Sequence, residues 1–195
     1  MKIRRIILAI FILYCQAVFL TSIYCADRDP DLKRSYLTFG EVELPALSSA
    51  SESDYLGVMP GRAVKLSEIK GEVLILEVFN VYCYHCQRQA PDMNRLYRLI
   101  EKQGLLDRIK MIGIVMSNSQ MEADIFKKKY NSLFPVFPDP DNSLYRLVGR
   151  GQTPYVNILK NDGHGNIEKI YAVERNLPEP ENFLNGIIEA SGIVK

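Results

Sequence analysis

An apolar run, Val73–Phe79, interrupted only by Glu77, ends four residues before Cys83-Tyr84-His85-Cys86, and a helical spacing of apolar residues opens at Gln87. A buried strand that feeds straight into a helix restricts the fold more than any other feature, because the two elements must bury their apolar faces against each other in an α/β layer. It restricts the chemistry as well. Two thiols three apart at a helix N-terminus form a redox couple: the helix dipole and the unpaired backbone N–H groups favour a thiolate on Cys83, and Cys86 can reach back to close a disulfide.

The rest of the chain alternates between the two periodicities. Met93, Leu96, Tyr97 and Ile100 share one face of the helix, which Gly104 stops. Residues 109–116 read as a second buried strand. Ser119 with Glu122 has the spacing of a capping box, and Met121, Ile125 and Phe126 are predicted as the apolar face of the helix it opens. Residues 142–148 form a shorter helix. Residues 155–160 and 167–173 are strand-like, joined by the turn-rich 161–166 into a hairpin, and a last helix begins near Pro180 with Phe183, Leu184, Ile187 and Ile188 inward. This order predicts a central mixed sheet with helices on both faces. Upstream, residues 27–62 are rich in Ser, Asp, Pro and Gly and read as a flexible spacer leading into the short alternating stretch 41–44, with 48–53 as a surface loop.

Lys2, Arg4 and Arg5 precede residues 6–26, which carry no charge. This is the pattern of an export signal, yet the apolar stretch exceeds the ~7–15 residues of a signal peptide and matches the ~20 that cross a bilayer, so it is either cleaved or kept as an N-terminal anchor. Cleavage after Ala26 would put Tyr24 where a small residue is preferred, and Tyr24 also fits a lipid-modified Cys25 poorly. Either fate delivers Asp27 onward outside the cytoplasm. The expected organisation is a leader or anchor at 1–26, a spacer at 27–40 and a folded domain at 41–192.

Cys15 and Cys25 lie in the leader, which leaves Cys83 and Cys86 and excludes a structural disulfide framework. Without the leader's three basic residues, 21 Lys and Arg face 23 Asp and Glu, a net charge of −2 that argues against nucleic acid as a partner. Zinc would need four ligands, and the exported part offers only the two cysteines with His85 and His164. Covalent haem would need a histidine where Gln87 stands. No metal site and no cofactor are expected.

Taken together, these motifs resemble the thioredoxin superfamily, in particular its exported TlpA/ResA-like branch, which overlaps in pattern with the AhpC/TSA redoxins. The resemblance spans about residues 42–188. It is carried by GRAVKLSEIKGEVLILE at 61–77, by the cysteine pair, by Phe134-Pro135-Val136-Phe137 followed by Asp139, Asp141 and Tyr145, and by Gly149, Pro154 and Asp162-Gly163. It implies a thioredoxin-like fold with an N-terminal strand extension. It also implies an extracytoplasmic thiol–disulfide oxidoreductase that acts on protein clients and exchanges electrons with a membrane thiol donor or acceptor, with residues 6–26 as a tether if they are retained.

Cys83, at the exposed helix start, should attack a substrate disulfide, and Cys86, one turn inside, should resolve the mixed disulfide; the reverse sequence oxidises a dithiol. His85 and Tyr84 should tune the couple, an imidazole between the cysteines favouring the Cys83 thiolate and so a more oxidising disulfide. The alternative is a solvent-facing histidine without effect. By the resemblance, Tyr82 replaces the tryptophan that often precedes the first cysteine and forms an aromatic wall for substrate. Glu77 is costly in a buried strand unless it is exposed or useful. It lies six residues before Cys83, where thioredoxins place a buried acid, so the resemblance implies that it accepts the Cys86 proton; the alternative is a side chain turned outward at a strand edge. Thr153-Pro154 stands where the family carries a cis-proline facing the cysteines, leaving the Thr153 backbone for strand-like pairing with substrate. Pro91 matches the family's helix-kinking proline, His164 reads as a solvated loop residue, and Lys127-Lys128-Lys129 as the wet side of a helix.

Competing functions remain open from the residues alone. The branch favours a reductase, whereas histidine before the second cysteine and threonine before the proline are the pattern of disulfide-forming and isomerising relatives. A thiol peroxidase would need a threonine three residues before its peroxidatic cysteine, and Cys83 itself stands three before Cys86. A copper chaperone using Cys83 and Cys86 lacks a distal ligand histidine.

Overall fold

A computed structural model describes residues 39–149 and 151–193. The leader, and the spacer as far as residue 38, lie outside the described residues, so the export and anchor expectations fall there. Among the described residues no helix is long and apolar enough to cross a membrane.

The apolar run forms strand β3 (Val73–Phe79), and all seven of its residues are buried. Strand β4 (Ile109–Met116) pairs with it in parallel, and the hairpin strands β6 (Tyr155–Asn161) and β7 (Ile167–Glu174) extend the sheet antiparallel on the other side. A strand that was not anticipated, β5 (Val136–Asp139), pairs with the outer edge of β4 and completes the order β5-β4-β3-β6-β7. It escaped sequence reading because it is four residues long with Pro135 before it and Pro138 inside it. Proline is tolerated there because an edge strand leaves N–H groups unpaired anyway.

Helix α2 (Tyr84–Lys102) connects β3 to β4, and α3 (Gln120–Tyr130) connects β4 to β5. Together with α5 (Pro180–Ser191) they cover the face of the sheet bearing Val73, Ile75 and Phe79. The opposite face, with Leu74, Leu76 and Val78, is covered by a small hairpin, β1 (Glu43–Leu44) with β2 (Val64–Lys65), by α1 (Ala50–Leu56), and by α4 (Ser143–Val148). The expected mixed sheet with helices on both faces is therefore present.

The helix at the cysteines starts at Tyr84, with Cys83 at its start and Cys86 one turn inside as expected, and the Cys83 sulfur caps it by accepting from the Cys86 N–H. Other expectations need correction. The alternating stretch 41–44 holds β1, with Val42 and Leu44 buried and Glu41 and Glu43 outward, but the supposed loop at 48–53 opens α1, with the Ser49 hydroxyl accepting from the Glu52 N–H and Leu56 fully buried. The Tyr55 hydroxyl accepts from the Met111 N–H, at a point on β4 that β5 does not reach. Finally, α3 carries the capping box at Ser119 and Glu122, but its inner residues are Ala123 and Phe126, and Met121 and Ile125 lie in solvent. The 123–126–130 spacing, not 121–125, is the one that meets Phe79.

Candidate active site

Three asparagine and glutamine side chains hold the loop between β3 and α2. Asn80 donates to the Met116 carbonyl and accepts from the Tyr82 N–H, buried Asn118 accepts from the Val81 N–H, and Gln87 donates back to the Val81 carbonyl. With these bonds the first turn of α2 is fixed, and Cys83 sits at its N-cap with its sulfur 3.3 Å from the Cys86 N–H. The Asx turn at Asn80 had a sequence signal, a turn former directly after a strand. Asn118, 37 residues from its partner, had none.

The two cysteines are free thiols in different surroundings: Cys83 is partly exposed and Cys86 is buried. Partial burial opposes a thiolate at Cys83 but is outweighed by hydrogen bonds from the Cys86 thiol and N–H, from Thr153 and from the His85 N–H, so its pKa falls below the ordinary thiol value. Burial pushes the Cys86 thiol well up, and the neighbouring Cys83 and Glu77 charges add to that.

Glu77 resolves the choice posed by its sequence: it is 4% exposed and lies on the α2 face of the sheet, between Gly113 of β4 and Val156 of β6. The Gln89 side-chain amide donates to its carboxyl at 3.0 Å. Burial pushes its pKa up to about 7, although the Gln89 hydrogen bond pulls the other way. Such a carboxyl can take and return a proton near neutrality. Sequence reading did not single out Gln89, whose partner lies twelve residues away on another element.

The Thr153–Pro154 peptide bond is cis, and the Cys83 thiol donates to the Thr153 carbonyl at 3.7 Å. The Arg175 N–H donates to the Pro154 carbonyl and ties this loop to the end of β7. Tyr82 stands 72% exposed beside the cysteines, its hydroxyl donating to Glu122 at 2.6 Å. Hydrogen bonds from Tyr82, then from the Ser119 N–H and hydroxyl and from Asn118, hold the Glu122 carboxyl down at about 2. Glu122, which closes the capping box of α3, thereby also fixes the Tyr82 side chain. Tyr84 is exposed, edge-on to the His85 ring and under the Arg88 guanidinium. His85 is exposed too, and its backbone N–H is among the donors that support the Cys83 thiolate.

All eight residues singled out from sequence fall in this region: the cysteines, Glu77, Tyr82, Tyr84, His85, Thr153 and Pro154. Pro91 lies inside α2, His164 is exposed in the hairpin turn, and of the three lysines Lys127 is half-buried against Glu52. Among the described residues no group of three or more His, Cys, Asp and Glu side chains converges as a metal site.

A model of the AhpC/TSA family matches residues 48–194. The chain is 24% identical over 132 residues to the thiol-disulfide oxidoreductase ResA of Geobacillus thermodenitrificans, covering 68% of this chain and 72% of that protein. It is 22% identical over 149 residues to ResA of Geobacillus kaustophilus, covering 76% and 82%. Among solved structures, a putative thiol:disulfide interchange protein DsbE from Chlorobium tepidum superposes with a TM-score of 0.58 at 20% identity, over 79% of this chain and 94% of that one. A secreted Mycobacterium tuberculosis disulfide oxidoreductase homologous to E. coli DsbE gives 0.56 at 16% identity, over 77% and 96%.

Proposed function

The chain belongs to the AhpC/TSA family, in the TlpA/ResA-like part of the thioredoxin superfamily, and from that membership and its cysteine geometry we propose that it is an extracytoplasmic thiol–disulfide oxidoreductase acting on protein clients. The observation that carries this reading is the asymmetry of the pair: a half-exposed Cys83 sulfur held at a helix N-cap by N–H donors, backed by a buried Cys86 thiol beside Glu77. The ResA name of the relatives supports the same activity.

In the reductive direction, the Cys83 thiolate attacks one sulfur of a client disulfide. A Cys83–client bond forms, the client S–S bond breaks, and the other client sulfur leaves as a thiolate. On this reading the client backbone pairs with Thr153, and Tyr82 walls one side. Glu77 then takes the Cys86 proton, and the Cys86 sulfur attacks Cys83 to form the intramolecular disulfide and release the second client thiolate. Two electrons pass from the cysteine pair to the client, and a thiol donor must return them. The charge-free leader at 6–26 supports export, and either a tether or a released form would meet a donor in the membrane.

A reductase is our first reading. The opposite direction keeps one specific support: hydrogen bonds that stabilise the Cys83 thiolate favour the dithiol and make the disulfide more oxidising. The reduction potential of the Cys83–Cys86 couple, equilibrated against glutathione or dithiothreitol buffers, decides. A value at or below about −250 mV supports the reductase, and one near about −120 to −180 mV makes the protein an oxidase or isomerase.

A further inference from the structure

Beside the cysteines, a cleft of about 220 Å³ opens to solvent, lined by His85, Arg88, Gln89, Asp92, Arg175, Asn176 and Leu177. Gln89 differs from the others in what lies behind it. It sits on α2 three residues after Cys86, so the two side chains share a helix face. It is 6% exposed, it forms part of the cleft wall, and its amide donates to the Glu77 carboxyl on the inner side. One side chain therefore separates bulk water from the acid beneath the resolving cysteine.

That position gives Gln89 two separable physical effects. The donated N–H favours the ionised carboxylate. The body of the side chain keeps water off the carboxyl, and dryness favours the neutral acid. No charged neighbour in the sheet competes with these effects, since Gly113 and Val156 flank Glu77 on its face, and α5 presents Phe183, Leu184 and Ile187 to the same core. The titratable group facing Glu77 is Cys86, with Cys83 beyond it, while His85, Arg88, Asp92 and Arg175 stand on the outer side of Gln89.

We propose that Gln89 is a positioning residue for the exchange reaction: it anchors the Glu77 carboxyl toward the Cys86 thiol and closes the inner wall of the cleft, so that this acid stays dry but poised to ionise. The inference rests on Glu77 as the acceptor of the Cys86 proton. In the resolving step the Cys86 S–H proton passes to the carboxylate, the Cys86–Cys83 bond forms as the Cys83–client bond breaks, and the client sulfur leaves with the electron pair. Gln89 neither gives nor takes a proton in that sequence.

Two substitutions in the full chain separate the effects. Gln89→Leu keeps the plug and removes the donor, so the Glu77 midpoint, read by carbon-13 titration of its carboxyl, should rise by about one pH unit, a tenfold change in proton affinity. The pH profile of peptide-disulfide reduction should move with it. Gln89→Ala removes the donor too but admits water from the cleft, so its midpoint should fall below that of Gln89→Leu. In a Glu77→Gln background, neither substitution should alter the pH profile further. An unmoved or lowered midpoint in Gln89→Leu overturns the proposal, as does a slowing that persists undiminished in the Glu77→Gln background. If Gln89→Leu does not fold, Gln89→Met, which also keeps the plug without the donor, takes its place, and an unmoved or lowered midpoint there overturns the proposal. A Glu77→Gln chain whose own pH profile matches wild type would instead sink the proton-acceptor reading, whatever Gln89 does to the Glu77 titration.

Discussion

The two faces of the central sheet bury similar apolar residues but treat a buried polar group differently. On the face under α2, Glu77 lies beside Cys86 with a single amide donor, and burial raises its pKa to about 7. On the face under α4, Asn157 is fully buried, donates to the Val148 carbonyl at the end of that helix, and leaves its own Oδ1 without a partner. Both groups cost free energy to bury. Asn157 cannot ionise and stands away from any thiol, so it ties a helix end to the sheet. Glu77 has a pKa raised to about 7 next to the buried Cys86 thiol, which in the proposed exchange must lose a proton. Burial of a polar group therefore does not by itself mark function. What marks it is an ionisable group in reach of the reacting atoms.

This difference can be broken experimentally. Glu77→Gln should slow release of client from the Cys83 mixed disulfide by about 10²-fold at pH 7, the lower range for loss of a general base, measured by stopped-flow reduction of a peptide disulfide. The same substitution should raise stability. A carboxyl whose folded pKa is raised binds more protons folded than unfolded, so its contribution is most favourable below the ordinary value near 4.5 and is lost as pH rises to about 7. Over that window the wild-type chain should lose about 3 kcal/mol relative to Glu77→Gln, which urea unfolding at pH 4.5, 6 and 8 would detect. Carboxylates held low, such as Glu122, act at more acid pH and leave this window clear. Asn157→Leu should change stability by about 1–2 kcal/mol and leave exchange rates within about twofold. A larger rate effect there would erase the distinction between the faces.

Legibility in sequence followed element length and partner distance. Strands β3 and β4 and helices α2 and α5 are long and strongly patterned, and their existence was plain. α1 begins in a serine-rich stretch that composition assigns to loops, and its cap shows only once Leu56 is seen packed in the core. At the site, the cysteine pair announced itself. Whether Glu77 is buried did not, because β3 is buried on both faces and so lacks the alternation that tells in from out. The residues that set the site's shape, Asn118, Gln89 and Glu122, act on partners twelve to forty positions away, and no local pattern encodes those meetings.

The division of labour between the cysteines is tested most directly by trapping. Full-length Cys86→Ala and Cys83→Ala chains, each also carrying Cys15→Ser and Cys25→Ser so that no leader thiol competes, are reduced, mixed with a disulfide-bonded peptide, quenched with acid and weighed by mass spectrometry. Cys86→Ala should accumulate a peptide adduct mapped to Cys83, and Cys83→Ala should accumulate none, because its remaining thiol is buried and resists ionisation. An adduct on Cys86, or no adduct on either chain, would contradict exchange through an attacking Cys83 and a resolving Cys86.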